Sequence, residues 1–341
     1  MHHFAPCVDL EDSTPLNFND LLLRLYALSQ QQPIDTFQDA ALQLVKPLLP
    51  FDAAVWGTAS TKPTGIDIHT LHLHHKTPDM VAAYEEVKHL DTAAASMFSA
   101  GKLTRAFHTD TFFEAADKQP VRHFMARFEQ PNFLISSDCN PRTSLMHWLT
   151  LYRADRNAHC TPADVNLLEQ LAPHLMQALA FNRTAHLGRL AAAEQALCPN
   201  GMAVADCRGV LYATNAQFVT AVRKAWGISA DIGACLPEKV MTLIKLHTAH
   251  PQSSFEWLQM VLTCHEAHGL VFIKSRAMQA VDRLTERERA VAALIAAGHT
   301  HKEVAQLLCR SPATVRNQIA QIYGKLNINC VAELIRALSF R

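Results

Sequence analysis

The chain has 341 residues, 49% of them apolar, and Lys plus Arg balance Asp plus Glu at 31 each. That length allows two or three domains and a sizeable core, while a net charge of zero excludes a uniformly basic nucleic-acid binder. The neutrality averages two unlike parts: residues 281–341 carry nine Lys and Arg against five Asp and Glu, a net of +4, and the remainder carries −4. A small basic module on a mildly acidic body suits a protein in which one part touches phosphates.

Residues 1–4 (MHHF) do not begin a basic segment followed by a long apolar run, so no signal peptide is expected. No stretch approaches the ~18 apolar residues of a spanning helix, so no membrane association is expected and the chain reads as cytoplasmic. The nine cysteines are odd in number, scattered, and without CxxC. This favours reduced thiols over a disulfide framework or zinc finger.

Apolar residues recur at helical spacing over 18–28 and 37–48. Residues 53–57 and 68–75 read as strands, and 78–89 returns to helical spacing. Residues 144–152 (SLMHWLTLY) form a clear strand pattern. Thr161-Pro162-Ala163-Asp164 opens a helix with a cap, a proline at the first helical position and an acid three residues on. That helix is expected to reach the Leu187 region with a bend at Pro173. Asn200-Gly201 marks a turn. Residues 202–205 and 210–213 form a hairpin about Cys207-Arg208-Gly209, and a helix follows over 215–226. Residues 255–264 and 269–273 read as two strands joined by Glu266-Ala267-His268. The weakly patterned stretch 275–283 is expected to be a linker.

The C-terminal pattern is sharper. Thr285-Glu286-Arg287-Glu288 and Thr300-His301-Lys302-Glu303 are both capping boxes. Val291, Leu294 and Ile295 form the stripe of a first helix ending at Gly298, and Val304, Leu307 and Leu308 that of a second. Ser311-Pro312 starts a third, with Val315, Ile319, Ile322 and Leu326 on its inner face. A fourth spans about 332–338. The face of the third helix opposite its stripe carries Ala313, Arg316, Asn317 and Ala320. Arg pairs with guanine edges or phosphates, and Asn bridges adenine. Lys302, Arg310 and Lys325 stand near helix ends, where phosphates are held.

This constellation resembles the LuxR-type (GerE-like) helix-turn-helix at Leu284-Thr285, Arg287-Glu288, Gly298, Thr300, Lys302-Glu303-Val304-Ala305, Thr314-Val315-Arg316 and Lys325-Leu326. The resemblance implies double-stranded DNA as partner, with Thr300 and Thr314 joining the contact residues. It also implies a homodimer on half-sites about one helical turn apart, and RNA polymerase as a further partner. The sequence departs from the family pattern at His301, Gln318 and Cys330-Val331. The loss of an Arg at Val331 removes a charge from a helix end.

The fold expected overall is α+β. A sensor domain over 1–188 resembles the GAF-type superfamily through Leu49-Pro50-Phe51-Asp52-Ala53-Ala54, Tyr84, Asp91, Trp148 to Tyr152, and Leu171-Ala172-Pro173-His174-Leu175. A second domain over 189–275 resembles PAS through residues 201–206 and 210–215. The four-helix domain completes the chain over 276–341. Both sensor folds cup a cavity between an antiparallel sheet and helices, which suits a small apolar or amphipathic effector. Trp56, Tyr84, Asp91 and Trp148 are the candidate lining residues, with ordinary core packing as the alternative for the aromatics and a helix cap as the alternative for Asp91. Lactone-binding relatives carry Asp-Pro where this chain has Asp91-Thr92, which disfavours an acyl-homoserine lactone.

Residues 68–75 (IHTLHLHH) place His72 and His74 on one strand face at metal-ligand spacing, with His89, His159 and Cys160 as conceivable further ligands. The simpler reading is a solvent-facing surface with Leu71 and Leu73 buried, so no metal and no resident cofactor are expected. A metal- or haem-dependent redox or gas sensor is the alternative function. The chain has no Walker loop, GxGxxG, GxSxG or HExxH, and is not expected to be an enzyme.

Overall fold

The computed structural model describes residues 17–62, 65–98, 101–141, 143–192, 201–248, 254–267 and 269–339. Asn200 and His268 of the expected turns, Cys7, Cys198 and the first sixteen residues lie outside these. The chain divides into two compact units, 1–186 and 187–341.

The first unit opens with α1 (Phe18–Gln31) and α2 (Phe37–Val45), followed by β1 (Ala53–Lys62) and β2 (Gly65–His74). Next come α3 (Pro78–Val87), α4 (Thr92–Ser96), β3 (Gly101–His108), α5 (Thr109–Phe112) and α6 (Gln119–Arg127). It closes with β4 (Asn132–Cys139), β5 (Leu145–Arg153) and α7 (Pro162–Ala192). The five strands form one antiparallel sheet in the order β2-β1-β5-β4-β3. Strand alternation sends its residues into two cores. Ala54, Trp56, Leu134, Leu149 and Leu151 meet α1, α2 and α7 on one face. Val55, Phe107, Phe133 and Ile135 meet α3, α4 and α6 on the other. α7 continues through Pro173 without interruption. Its Asp164 anchors the helix start by accepting from the Thr161 amide and pairing with Arg153 at 3.1 Å.

The second unit comprises β6 (Gly201–Asp206), β7 (Leu211–Thr214), α8 (Ala216–Trp226), α9 (Glu238–Thr248), β8 (Ser254–Trp257), β9 (Met260–Ala267) and β10 (Leu270–Ala277). Four C-terminal helices follow: α10 (Glu286–Ala296), α11 (His301–Leu307), α12 (Pro312–Leu326) and α13 (Val331–Ser339). Its sheet runs β7-β6-β10-β9-β8, antiparallel throughout. Counted within each unit, both sheets therefore have the order 2-1-5-4-3, a repetition of topology that the sequence did not display as a repeat. The fold is thus α+β, with two antiparallel five-stranded sheets and a helical C-terminal domain.

Two expectations fail here. The stretch read as one strand over 255–264 is a hairpin, because Leu258 and Gln259 turn the chain at φ of 42° and 65°. The expected linker 275–283 is ordered: β10 runs into it, and a 3₁₀ turn at Ala280–Arg283 follows. Arg276 grips Asp282 with two hydrogen bonds of 2.5 and 2.8 Å, and Val281 is buried in the helical core.

Candidate functional site

In the C-terminal domain both expected capping boxes form. The Thr285 hydroxyl accepts from the Glu288 amide and that of Thr300 from the Glu303 amide, while each Glu carboxylate accepts from its Thr amide in return. The Ser311 side chain caps α12 by accepting from the Thr314 amide at 3.1 Å. The turn between α11 and α12 passes through Cys309 at φ 51°, a left-handed position for a non-glycine residue. Val291, Ile295, Val304, Val315, Ile322, Leu326 and Leu334 then close one core, and α12 packs against α10 and α11.

That core fixes which face of α12 looks outward. Ala313, Arg316, Asn317 and Ala320 are all exposed and share one face at i, i+3, i+4 and i+7 spacing. Thr300, Lys302 and Thr314 are exposed as well, and Arg310 is half-buried beside the turn. Arg316 approaches His301 at 3.4 Å across the two helices, so His301 borders the same face. Lys325 has a different partner from the one its position suggested: its ammonium bonds Glu288 at 2.8 Å, joining the end of α12 to the first turn of α10. This bond, with those from Thr285, holds the Glu288 carboxyl below its ordinary range.

In the first unit a cavity of about 110 Å³ lies between the sheet and the α3, α4 and α6 layer. Its walls are mostly apolar and include Val55, Met80, Met97, Phe124, Phe133, Ile135 and Met146. Tyr84, Asp91 and Trp148 line it, as do Tyr152, Thr150 and Gln130, which the sequence did not single out. Trp56 does not. It sits one residue out of phase with Val55 on β1, so it points to the opposite face, 1% exposed, with its indole N–H directed to the Met176 sulfur at 3.2 Å. The Trp148 indole packs close to Gly57 on the neighbouring strand. A Cβ there would stand 2.6 Å from the indole and 2.4 Å from the Thr70 carbonyl oxygen.

Asp91 caps a helix and also lies on the cavity wall. One carboxylate oxygen caps α4 by accepting from the Ala94 amide at 3.0 Å, and the other accepts from the Tyr84 hydroxyl at 2.9 Å. Burial pushes the Asp91 carboxyl up, against these bonds, the Ala93 amide and the charge of Lys118. Burial and then the Asp91 charge likewise push the Tyr84 and Tyr152 hydroxyls up. The result is a buried carboxylate on the wall of a mostly apolar chamber, bonded to donors and, among the described residues, in contact with no cation.

On the sheet's other face, His72 and His74 are not solvent-facing as expected. They turn towards α2, where both approach the Asp39 carboxylate, while Leu71 on the opposite face lines the cavity. His89, His159 and Cys160 do not join this group. His159 instead meets the His108 ring, and burial raises the Cys160 thiol to about 11.

Residues 282–338 match the family described as bacterial regulatory proteins, luxR family. The C-terminal domain is a LuxR-type helix-turn-helix domain. No curated protein matches the chain. Among solved structures, the chain is similar to SdiA in complex with octanoyl-rac-glycerol, with 14% identity, a TM-score of 0.38, and coverage of 95% of this chain and 94% of that one. It is also similar to the N-acylhomoserine-lactone-dependent LuxR-family factor CepR2 from Burkholderia cenocepacia (17%, TM-score 0.35, 49% and 96%). A third likeness is to the phycoerythrobilin-bound GAF domain of a cyanobacterial phytochrome (12%, TM-score 0.35, 50% and 98%). Among the described residues no helix is long and apolar enough to cross a membrane.

Proposed function

We propose that the chain is a one-component transcriptional regulator: a GAF-like sensor domain over 1–188, a PAS-like domain over 189–275, and a DNA-binding domain over 276–341. The observation that carries the reading is the LuxR-type domain with its uncovered α12 face. In this reading Arg316 and Asn317 contact base edges, with Ala313 and Ala320 allowing close approach to the major groove. Thr300, Lys302, Arg310 and Thr314 hold the backbone as donors to phosphate. Lys325 keeps its structural bond to Glu288 and drops out of the contact set. The protein acts as a homodimer on paired half-sites.

The effector is a small molecule with an apolar body and at least one N–H or O–H donor. The cavity's apolar walls hold the body, Trp148 flanks it, and Asp91 accepts from the donor. A chain bound to its effector favours one arrangement over another only if the effector binds the two unequally. No enzymatic step is assigned to the cavity; among the described residues Asp91 is the one carboxylate that lines it.

The test is duplex binding by fluorescence anisotropy across a salt series. Affinity should fall steeply with salt. Arg316→Ala should lower specific affinity by about tenfold or more, in line with ~1–3 kcal/mol for a bidentate base contact, and change non-specific affinity far less. Equal loss on both duplexes would make Arg316 a phosphate contact only.

A further inference from the structure

The surfaces and clusters outside the cavity and the α12 face include one group whose chemistry neither of those sites uses. Asp39 on α2 and His72 and His74 on β2 bring three metal-ligating side chains to one point. His74 Nδ1 lies 2.6 Å and His72 Nε2 3.0 Å from the same Asp39 oxygen, and the three ligand atoms all fall within 4.8 Å of one another. We infer that Asp39, His72 and His74 form a binding site for a divalent first-row transition ion such as Zn²⁺, which clips α2 onto the edge strand of the first sheet.

The donor set is right for such an ion. Two imidazoles and one carboxylate suit zinc and its neighbours, and three protein ligands leave a fourth position for water. Ligands at ~2.0–2.2 Å in a tetrahedron stand ~3.3 Å apart, so the 2.6 Å Asp39–His74 and 3.0 Å Asp39–His72 spacings open by about 0.7 and 0.3 Å. Asp39 is half exposed and can make that shift, whereas His74 is 3% exposed and fixed. The fixed ring is also oriented. Its Nε2 lies 3.4 Å from the Gln43 side-chain amide, so once Nδ1 is on the metal, Nε2–H donates to the Gln43 oxygen after a half-turn of that amide. His75 stacks on His74 at 4.0 Å between ring centroids and further restrains it.

The register explains the pairing: His72 faces with Trp56 toward the helices, while Leu71, one residue away, faces the cavity with Gly57. The site stands independently of the effector reading, because it lies on the other face of the sheet.

The experiment uses the full chain stripped with a chelator, titrated with Zn²⁺ against a chromophoric competitor, and separately with Co²⁺ followed by visible absorption. The chain carries further histidines and cysteines, so the readout is the difference made by His72→Gln and Asp39→Asn, each outside the buried core. The expected result is one tight equivalent in the parent, weakened at least about tenfold in each variant and by a similar factor in Gln43→Leu. The Co²⁺ spectrum should show d–d bands without thiolate charge transfer. Zn²⁺ should raise the parent's melting temperature and leave that of Asp39→Asn unchanged. Retention of the tight equivalent in His72→Gln and Asp39→Asn, thiolate bands in the Co²⁺ form, or no tight equivalent in the parent would each overturn the site and leave the three side chains as a hydrogen-bonded cluster only.

Discussion

Replacing Asp91 separates what its charge does from what its shape does. Asp91→Asn keeps the cap on α4, since Asn and Asp cap about equally well, and leaves an amide facing the Tyr84 hydroxyl. It removes a charge that burial disfavours. The variant should therefore be at least as stable as the parent at pH 7. Asp91→Ala loses the cap, at about 0.5–2 kcal/mol, and strands the Tyr84 hydroxyl in an apolar cavity, at about 1–3 kcal/mol. Together they cost about 1.5–5 kcal/mol, a drop of roughly 3–20 °C for a unit of this size. The pH dependence has a definite sign. A carboxyl whose folded pKa is raised takes up its proton more readily folded than unfolded, so the parent gains stability as pH falls into that window. Its melting temperature should approach that of Asp91→Asn as the pH is lowered. Calorimetry of the three proteins from pH 7 to 5 tests this. If Asp91→Asn is destabilised as much as Asp91→Ala, the charge is structural, and the reason for reading it as an effector anchor is gone.

Gly57→Ala would drive a methyl into the Trp148 indole and the Thr70 carbonyl; overpacking of this kind costs about 1–3 kcal/mol and should also shift Trp148 fluorescence. Burial and the neighbouring Arg183 charge lower His147 to about 4, so stability is complete above pH 6.5 and is lost as pH falls from there towards 4, by up to about 3 kcal/mol. His147→Gln should flatten urea-melt stability across that range, and an unchanged slope would exclude His147 as its source. Lys325→Ala should destabilise the C-terminal domain by about 1 kcal/mol while leaving the salt dependence of DNA binding unchanged; a slope lower by about one would make Lys325 a phosphate contact after all.

How much was legible depended on how local the signal was. The C-terminal helices read almost residue by residue, because capping boxes, Ser311-Pro312 and a 3.6-residue stripe are decided by near neighbours. β3 and β4 left little trace. β3 is an edge strand with Lys102 and Arg105 outward, and β4 is buried on both faces, so neither alternates cleanly. The β8–β9 hairpin was hidden because Leu258-Gln259 is no turn dipeptide. Gly201 is needed for close approach and not for a turn: a Cβ there would meet Phe218 and Ser275. In the cavity, Tyr84, Asp91 and Trp148 were found by their residue types, but Trp56 was lost to strand phase, since a shift of one residue changes the face. The Asp39 partner of the two histidines comes from a helix 33 residues away and carries no sequence signal.

The central claim is that α12 reads DNA. The most direct measurement is selection of duplexes from a random pool by the full chain, repeated with the double variant Arg316→Ala, Asn317→Ala. The account predicts an enriched motif for the parent, with binding that weakens steeply as salt rises, and loss of that motif in the variant with residual non-specific binding intact. Failure of the parent to enrich any sequence, or the same motif from the variant, would contradict it.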